Sequence, residues 1–207
     1  MEKLKKGIIF IDFEASGLED SYPIEVGMVG DNDYSYNSYI KPIKDWTNNL
    51  IWSLEAEKIH HIKEYKLFRI GSEVRDVANE IANVALTNDL YSDNGYFDDR
   101  WCNTLFEAAG IKKEFVISDI YYLGHSRNTY FHIKFIFFEL IKFGVINDEQ
   151  SFINYMIDNK DNDIIEIIEK GQLIRKYDNN IKAHEALSDA VACKSVINAM
   201  NALNNLK

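Results

Sequence analysis

The stretch Ile8-Ile9-Phe10-Ile11-Asp12-Phe13-Glu14 decides how this chain is read. From Gly7 to Phe13 it is a short, β-prone apolar run, and in a strand residues two apart point to the same face. Asp12 and Glu14 therefore bring two carboxylates together at the end of a hydrophobic strand. Their mutual repulsion requires a cation, and hard oxygen donors suit Mg2+ or Mn2+, which complete their shells with water and phosphate oxygens. A strand that simply frays into a polar loop reads the same way, so the pair needs company before it carries chemistry.

Working outward, Ile24 to Val29 is a second apolar run, and Tyr34 to Ile40 alternates with period two, which together predict a three-strand meander. From Ser72, a candidate N-cap, Val74, Val77, Ala78, Ile81, Ala82 and Ala85 recur at helical spacing before another short strand, Leu90 to Ser92. Arg100 to Ala109 reads as a helix stopped by Gly110, Phe115 to Ser118 as a strand, and Asn128 to Lys142 as an aromatic-rich helix stopped by Gly144. Glu149 to Ile157, Asp163 to Glu169 and Glu185 to Leu203 carry helical spacing. Strands first, then strands alternating with helices, then helices, predict an α/β protein whose mixed sheet of about five strands is covered on both faces.

Composition narrows the class. The 207 residues, 46% hydrophobic and 27% charged, fit one domain with an insertion, and exclude collagen-like, coiled-coil and wholly disordered chains. Two prolines and the lack of a Gly/Ser-rich linker leave no domain boundary, so 1–207 is expected to be a single domain with a mainly helical segment at about 143–182. The net charge of −10 argues against a broad grip on duplex nucleic acid unless basic groups cluster or bound cations change the local field. Cys102 and Cys193 show no metal spacing and read as reduced thiols, which points to the cytoplasm. The apolar run after Lys6 stops at Asp12, too short for a secretory signal, and no stretch is long enough to span a membrane.

Two further carboxylate positions join the first pair. Asp98 follows the strand at Leu90 and stands near a helix start, where Asp99 beside it is an equally good cap; spacing alone does not choose between them. His184-Glu185-Ala186-Leu187-Ser188-Asp189-Ala190 sets an imidazole five residues before a carboxylate, and small Ala190 and Ala192 allow that helix to pack closely on a sheet.

Taken together these residues resemble the DEDD-type 3′→5′ exonucleases, histidine subclass, a superfamily with a ribonuclease-H-like fold. Asp12-Phe13-Glu14-Ala15-Ser16-Gly17-Leu18 is similar to the first family motif, Asn94-Gly95-Tyr96-Phe97-Asp98 to the second, and His184-x-Ala186-x-x-Asp189-Ala190 to the third. The second register selects Asp98 over Asp99. Pro23-Ile24-Glu25-Val26-Gly27, Tyr39-Ile40-Lys41-Pro42 and Glu55 to Ile62 occur in the expected order.

The resemblance implies that Asp12, Glu14, Asp98 and Asp189 hold two divalent cations, Mg2+ or Mn2+, about 3.5–4 Å apart. It implies His184 as general base, and Phe13, Ala15, Ser16, Gly17, Leu18 and His60 as substrate contacts. The expected substrate is single-stranded or short RNA or DNA with a free 3′ end, RNA somewhat favoured, with nucleoside 5′-monophosphates as products. A proofreading-type DNA exonuclease subunit and a catalytically silent nucleic-acid-binding module are the alternatives. Two positions depart from the pattern. Ala15 replaces a hydroxyl residue, so one contact to the terminal nucleotide is either lost or supplied by Ser16, and His61 stands where the family often has Gly. Elsewhere, Phe131, Phe135, Phe138 and Ile141 or Lys142 follow helical spacing and read as core. His125 and His132 read as structural, and Trp46 and Trp52 as loop residues that either stack on bases or pack beneath the loop.

Overall fold

The computed structural model describes residues 6–30, 34–124, 130, 133–134, 137–138, 140–141, 144–158 and 186–205. They fall into two compact units, one running through Ile120 and taking in the chain again up to Ala190, the other holding the rest.

The first unit is built on a five-stranded mixed sheet in the order β3-β2-β1-β4-β5. Strands β1 (Gly7–Ala15), β2 (Pro23–Gly30) and β3 (Ser35–Tyr39) form the antiparallel meander, and β4 (Asn88–Ser92) and β5 (Ile117–Asp119) add in parallel on the other side of β1. β1 is thus the central strand, and its alternation sorts its residues. Ile9, Ile11, Phe13 and Ala15 join Ile24, Val26 and Met28 of β2 in the core, under helices α4 (Val74–Thr87) and α5 (Gly95–Ala109). Asp12 and Glu14 take the opposite face, where Asp12 lies across from Gly27 and Glu14 from Glu25. Because β1 continues to Ala15, the two carboxylates stand on paired strand and not in a frayed loop.

Between β3 and α4 come three short helices, α1 (Lys44–Asn49), α2 (Leu54–His60) and α3 (Glu64–Ile70). Trp46 is therefore helical. It is buried and stacks on Tyr22 at 5.4 Å between ring centroids, so it serves packing. Trp52 is half-buried and donates its indole N–H to Glu57.

Several boundaries differ from expectation for local reasons. Ser72 is not the cap of α4; its main chain bridges to Ile40, its side chain bonds Ser38, and Glu73 takes the cap position. α5 begins at Gly95, five residues before Arg100. A side chain on Gly95 would meet the Asp119 amide nitrogen at 2.7 Å, so this end of α5 lies directly on β5. α5 stops at Gly110 with φ +65°, as expected. β5 lies two residues later than Phe115 to Ser118 at its start.

In the second unit, the described residues between Tyr130 and Ile141 are helical. Among the described residues of this stretch Tyr130, Ile133 and Phe137 are buried, Phe138 is half-buried and Ile141 exposed; Phe131, Phe135 and Lys142 lie outside the described residues. The helix Glu149–Asp158 opens on a reciprocal cap: the Ser151 amide donates to the Asp148 carboxylate at 2.7 Å and the Asp148 amide to the Ser151 hydroxyl at 3.1 Å. That bonding holds Asp148 below the usual carboxylate range. The helix expected at Asp163 to Glu169, and residues 159–182 generally, lie outside the described residues. Both cysteines are buried and free of disulfides, and no described helix is long and apolar enough to cross a membrane.

Candidate metal centre

Asp12, Glu14 and Asp189 each offer a carboxylate oxygen within 4.8 Å of the others. Two come from alternate positions of β1, and the third comes from the first turns of the last helix, Ala186–Asn204. The meeting depends on β2. Gly27 lies opposite Asp12, and a side chain there would run into the backbone at Ala186 and Leu187, so its lack of a Cβ lets the helix rest on the strand. Glu25, buried two positions away on the same face, accepts the Ala186 N–H at 3.4 Å and an Asn37 amide N–H at 3.2 Å. One carboxylate thus receives an otherwise orphaned N–H at the helix start and favours the positive end of its dipole. Asp189 then arrives one turn along.

Charge decides what the cluster can do. Asp189 is buried and Asp12 and Glu14 are half-buried. Two full negative charges at that spacing repel by about 3 kcal/mol at an effective dielectric of about 20. Three hard oxygen donors on rigid elements, in reach of one point and of one sign, fit a divalent cation of the Mg2+ or Mn2+ kind.

Asp98 and Asp99 separate cleanly. Asp98 is buried in the first turn of α5, inside the helix and not at its cap, where it accepts the Phe13 N–H at 2.9 Å and the Ser92 hydroxyl proton. It therefore grips β1 at the residue between Asp12 and Glu14, though it lies outside the group of three acids. Asp99 points elsewhere: it pairs with Lys113 at 2.6 Å and accepts the Ile117 N–H at 2.8 Å, fastening α5 to the start of β5.

The residues after Glu14 build a tight loop. The Ser16 hydroxyl donates to the Ile51 carbonyl at 2.7 Å and accepts the Tyr22 N–H at 3.1 Å; the Ser16 amide donates to the Tyr22 carbonyl, and its carbonyl accepts the Ser53 N–H. In this geometry Ser16 holds the loop through both its hydroxyl and its main chain. Phe13, Ala15 and Gly17 are buried, whereas Leu18 is 66% exposed at the loop tip. His60 is buried in α2, its Nδ1 accepting the Ile62 N–H at 3.0 Å and its ring edge-on to Trp52. His61, in the position where the resemblance expects Gly, has φ +59° as the C-cap of α2, the left-handed conformation that Gly adopts most easily. His184, His125 and His132 lie outside the described residues.

Sequence reasoning from the residues themselves missed Glu25 and Gly27, which it met only as part of a matching segment. The available signal was a glycine inside an apolar strand, which marks close approach of another backbone.

No protein-family model matches the chain, and no curated protein matches it. Solved structures share its fold. E. coli exonuclease I in complex with a dA16 oligonucleotide aligns with a TM-score of 0.56 at 16% identity, over 98% of this chain and 41% of that one. The zinc-ion-bound form of the E. coli exonuclease I complex with single-stranded DNA gives 0.57 at 16% identity, over 98% and 41%. A further exonuclease I structure gives 0.56 at 15% identity, over 98% and 43%. This chain spans about two fifths of the length of those proteins. The architecture is a ribonuclease-H-like α/β fold, and among solved structures it is similar to the corresponding part of exonuclease I.

Proposed function

We propose that this chain is a metal-dependent 3′→5′ exonuclease acting on single-stranded or short nucleic-acid ends and releasing nucleoside 5′-monophosphates. The observation that carries the reading is the convergence of Asp12, Glu14 and Asp189 on the sheet face away from the core. A cleft that only bound nucleic acid would gain nothing from acids that repel phosphate. Divalent cations held by these three, with Asp98 as the fourth carboxylate of the set, would supply phosphate neutralisation and water activation. The chain's own contributions are positional. Asp98 fixes the β1 backbone at Phe13, Gly27 and Glu25 seat the helix that brings Asp189, and the Ser16 loop holds the turn beyond Glu14. His184, five residues before Asp189, is assigned as proton acceptor through an imidazole nitrogen, since its ordinary pKa near 6.5 suits neutral pH. The preference for RNA rests on the family resemblance alone, and two of the similar structures are complexes with DNA, so single-stranded DNA is the first substrate to try.

The test uses 5′-labelled linear strands of DNA and RNA beside a circular single strand of the same sequence, with and without Mn2+. Stepwise shortening of linear strands from the 3′ end, only with metal, is expected. Efficient cutting of the circle, or shortening from the 5′ end, overturns the proposal.

A further inference from the structure

Helices α2 and α3 pack through one side only. His60, Ile62 and Leu67 are buried, while Leu54, Ile59, Tyr65 and Phe68 are between 47% and 69% exposed. Tyr65, Phe68 and Arg69 stand three and four positions apart, so they share the outer face of α3. The charge here runs against the rest of the molecule. From Leu54 to Ile70, the span of both helices, the chain carries Lys58, Lys63, Lys66 and Arg69 against Glu55, Glu57 and Glu64, a small positive excess in a protein of net charge −10. Lys63 is neutralised by Glu57 at 2.5 Å. Lys66 reaches only uncharged groups, the Tyr39 hydroxyl and ring, and Lys58 and Arg69 make no ion pair among the described residues. Exposed aromatics interleaved with uncompensated cations are the composition that single-stranded nucleic acid requires, stacking for the bases and positive charge for the phosphates.

The arm is also tied to the catalytic strand. The Ser53 amide, at the cap of α2, donates to the carbonyl of Ser16, two residues beyond Glu14. Glu64, the first residue of α3, accepts the Tyr22 hydroxyl proton at 2.9 Å at the start of β2. Burial, together with that acceptor, raises the Tyr22 phenol well above its ordinary range. We infer that the outer face of α2 and α3, through Tyr65, Phe68 and Arg69 with Lys58 and Lys66, is the track for the single strand upstream of the 3′ end. The inference rests on the nuclease reading and adds to it a determinant of substrate length.

Fluorescence anisotropy of the full chain in calcium, with 5′-fluorescein oligothymidylates of about 3 and about 16 nucleotides, reads this directly. Tyr65→Ala/Phe68→Ala should weaken the long probe about tenfold to a hundredfold and leave the short one unchanged. Arg69→Glu should flatten the log–log salt dependence for the long probe by about 0.7 or more. Because all three side chains are exposed, melting temperatures should stay at the wild-type value. Wild-type affinity and salt slope for the long probe in both variants overturn the track and leave the face to a protein. Equal weakening of both probes also overturns it, by assigning the residues to the terminal nucleotide. If the wild-type chain binds neither probe, the failure belongs to the nuclease reading itself.

Discussion

Gly27→Ala tests how the third carboxylate is delivered. Gly27 lies opposite Asp12, and an added Cβ would strike the Leu187 amide nitrogen, the Ala186 carbonyl carbon and the Leu187 Cα. All three are backbone atoms, so no rotamer change relieves the clash. The first turn of the last helix must retreat from β2 by about 1 Å, and Asp189, two residues past Leu187, retreats with it; a displacement of that size costs roughly a hundredfold in rate. Overpacking costs about 1–3 kcal/mol, offset by about 0.4–1 kcal/mol from the stiffer unfolded chain. The melting temperature should then fall by up to roughly 10 °C in a chain of this size. Gly30→Ala is the control, because there the nearest atom is the Ile9 Cδ1, the end of a side chain that can turn aside. Circular dichroism, Mn2+ titration calorimetry and turnover on single-stranded oligonucleotides should show Gly27→Ala folded, weaker for Mn2+ and about a hundredfold slower. Wild-type metal affinity and turnover in Gly27→Ala would refute the idea that this close approach sets Asp189.

The other substitutions separate structure from chemistry. Asp99→Ala strips the buried Lys113 ammonium of its carboxylate and should cost on the order of 2–3 kcal/mol in denaturant melts, while turnover at permissive temperature persists; Asp98→Asn should do the reverse, folding but losing activity. His61→Gly relieves the left-handed backbone, about 1–2 kcal/mol, against about 0.5–1 kcal/mol of glycine entropy, so urea midpoints should rise by the equivalent of a few tenths to about 1 kcal/mol. His184→Ala should slow turnover by roughly a hundredfold to ten-thousandfold with Mn2+ affinity kept, and the rise of rate with pH through the imidazole pKa should vanish; a His184→Asn variant of near-wild-type rate would make the residue structural. Burial also pushes the Cys102 thiol up, so at pH 8 alkylation of the native protein should be far slower than after unfolding.

The sequence made the centre of the fold legible because β1 couples period-two alternation to a run of apolar residues, and the same alternation sets Asp12 and Glu14 on one face. What it hid were places where tertiary contact overrode a local signal. The start of α5 at Gly95 instead of Arg100 goes with a close approach of β5, whose Asp119 amide nitrogen leaves no room for a side chain there. Asp98 and Asp99 are chemically alike as neighbours, and what separates them is a strand amide on one side and Lys113 on the other. Ser72 has the chemistry of a cap but meets Ser38 first. The outer aromatics of α3 carry helical spacing as a core stripe would, so their exposure was not readable before Leu67 and Ile62 were seen to fill the inner side.

Asp12, Glu14 and Asp189 are proposed as one metal site at which nucleic acid is hydrolysed from its 3′ end. This is tested most directly by following a 5′-labelled single strand with saturating Mn2+ for the wild-type chain and Asp189→Ala side by side. A descending ladder of one-nucleotide steps is expected for the wild type and, for Asp189→Ala, a folded protein with nearly all activity gone. Near-wild-type turnover in Asp189→Ala at saturating metal would contradict it.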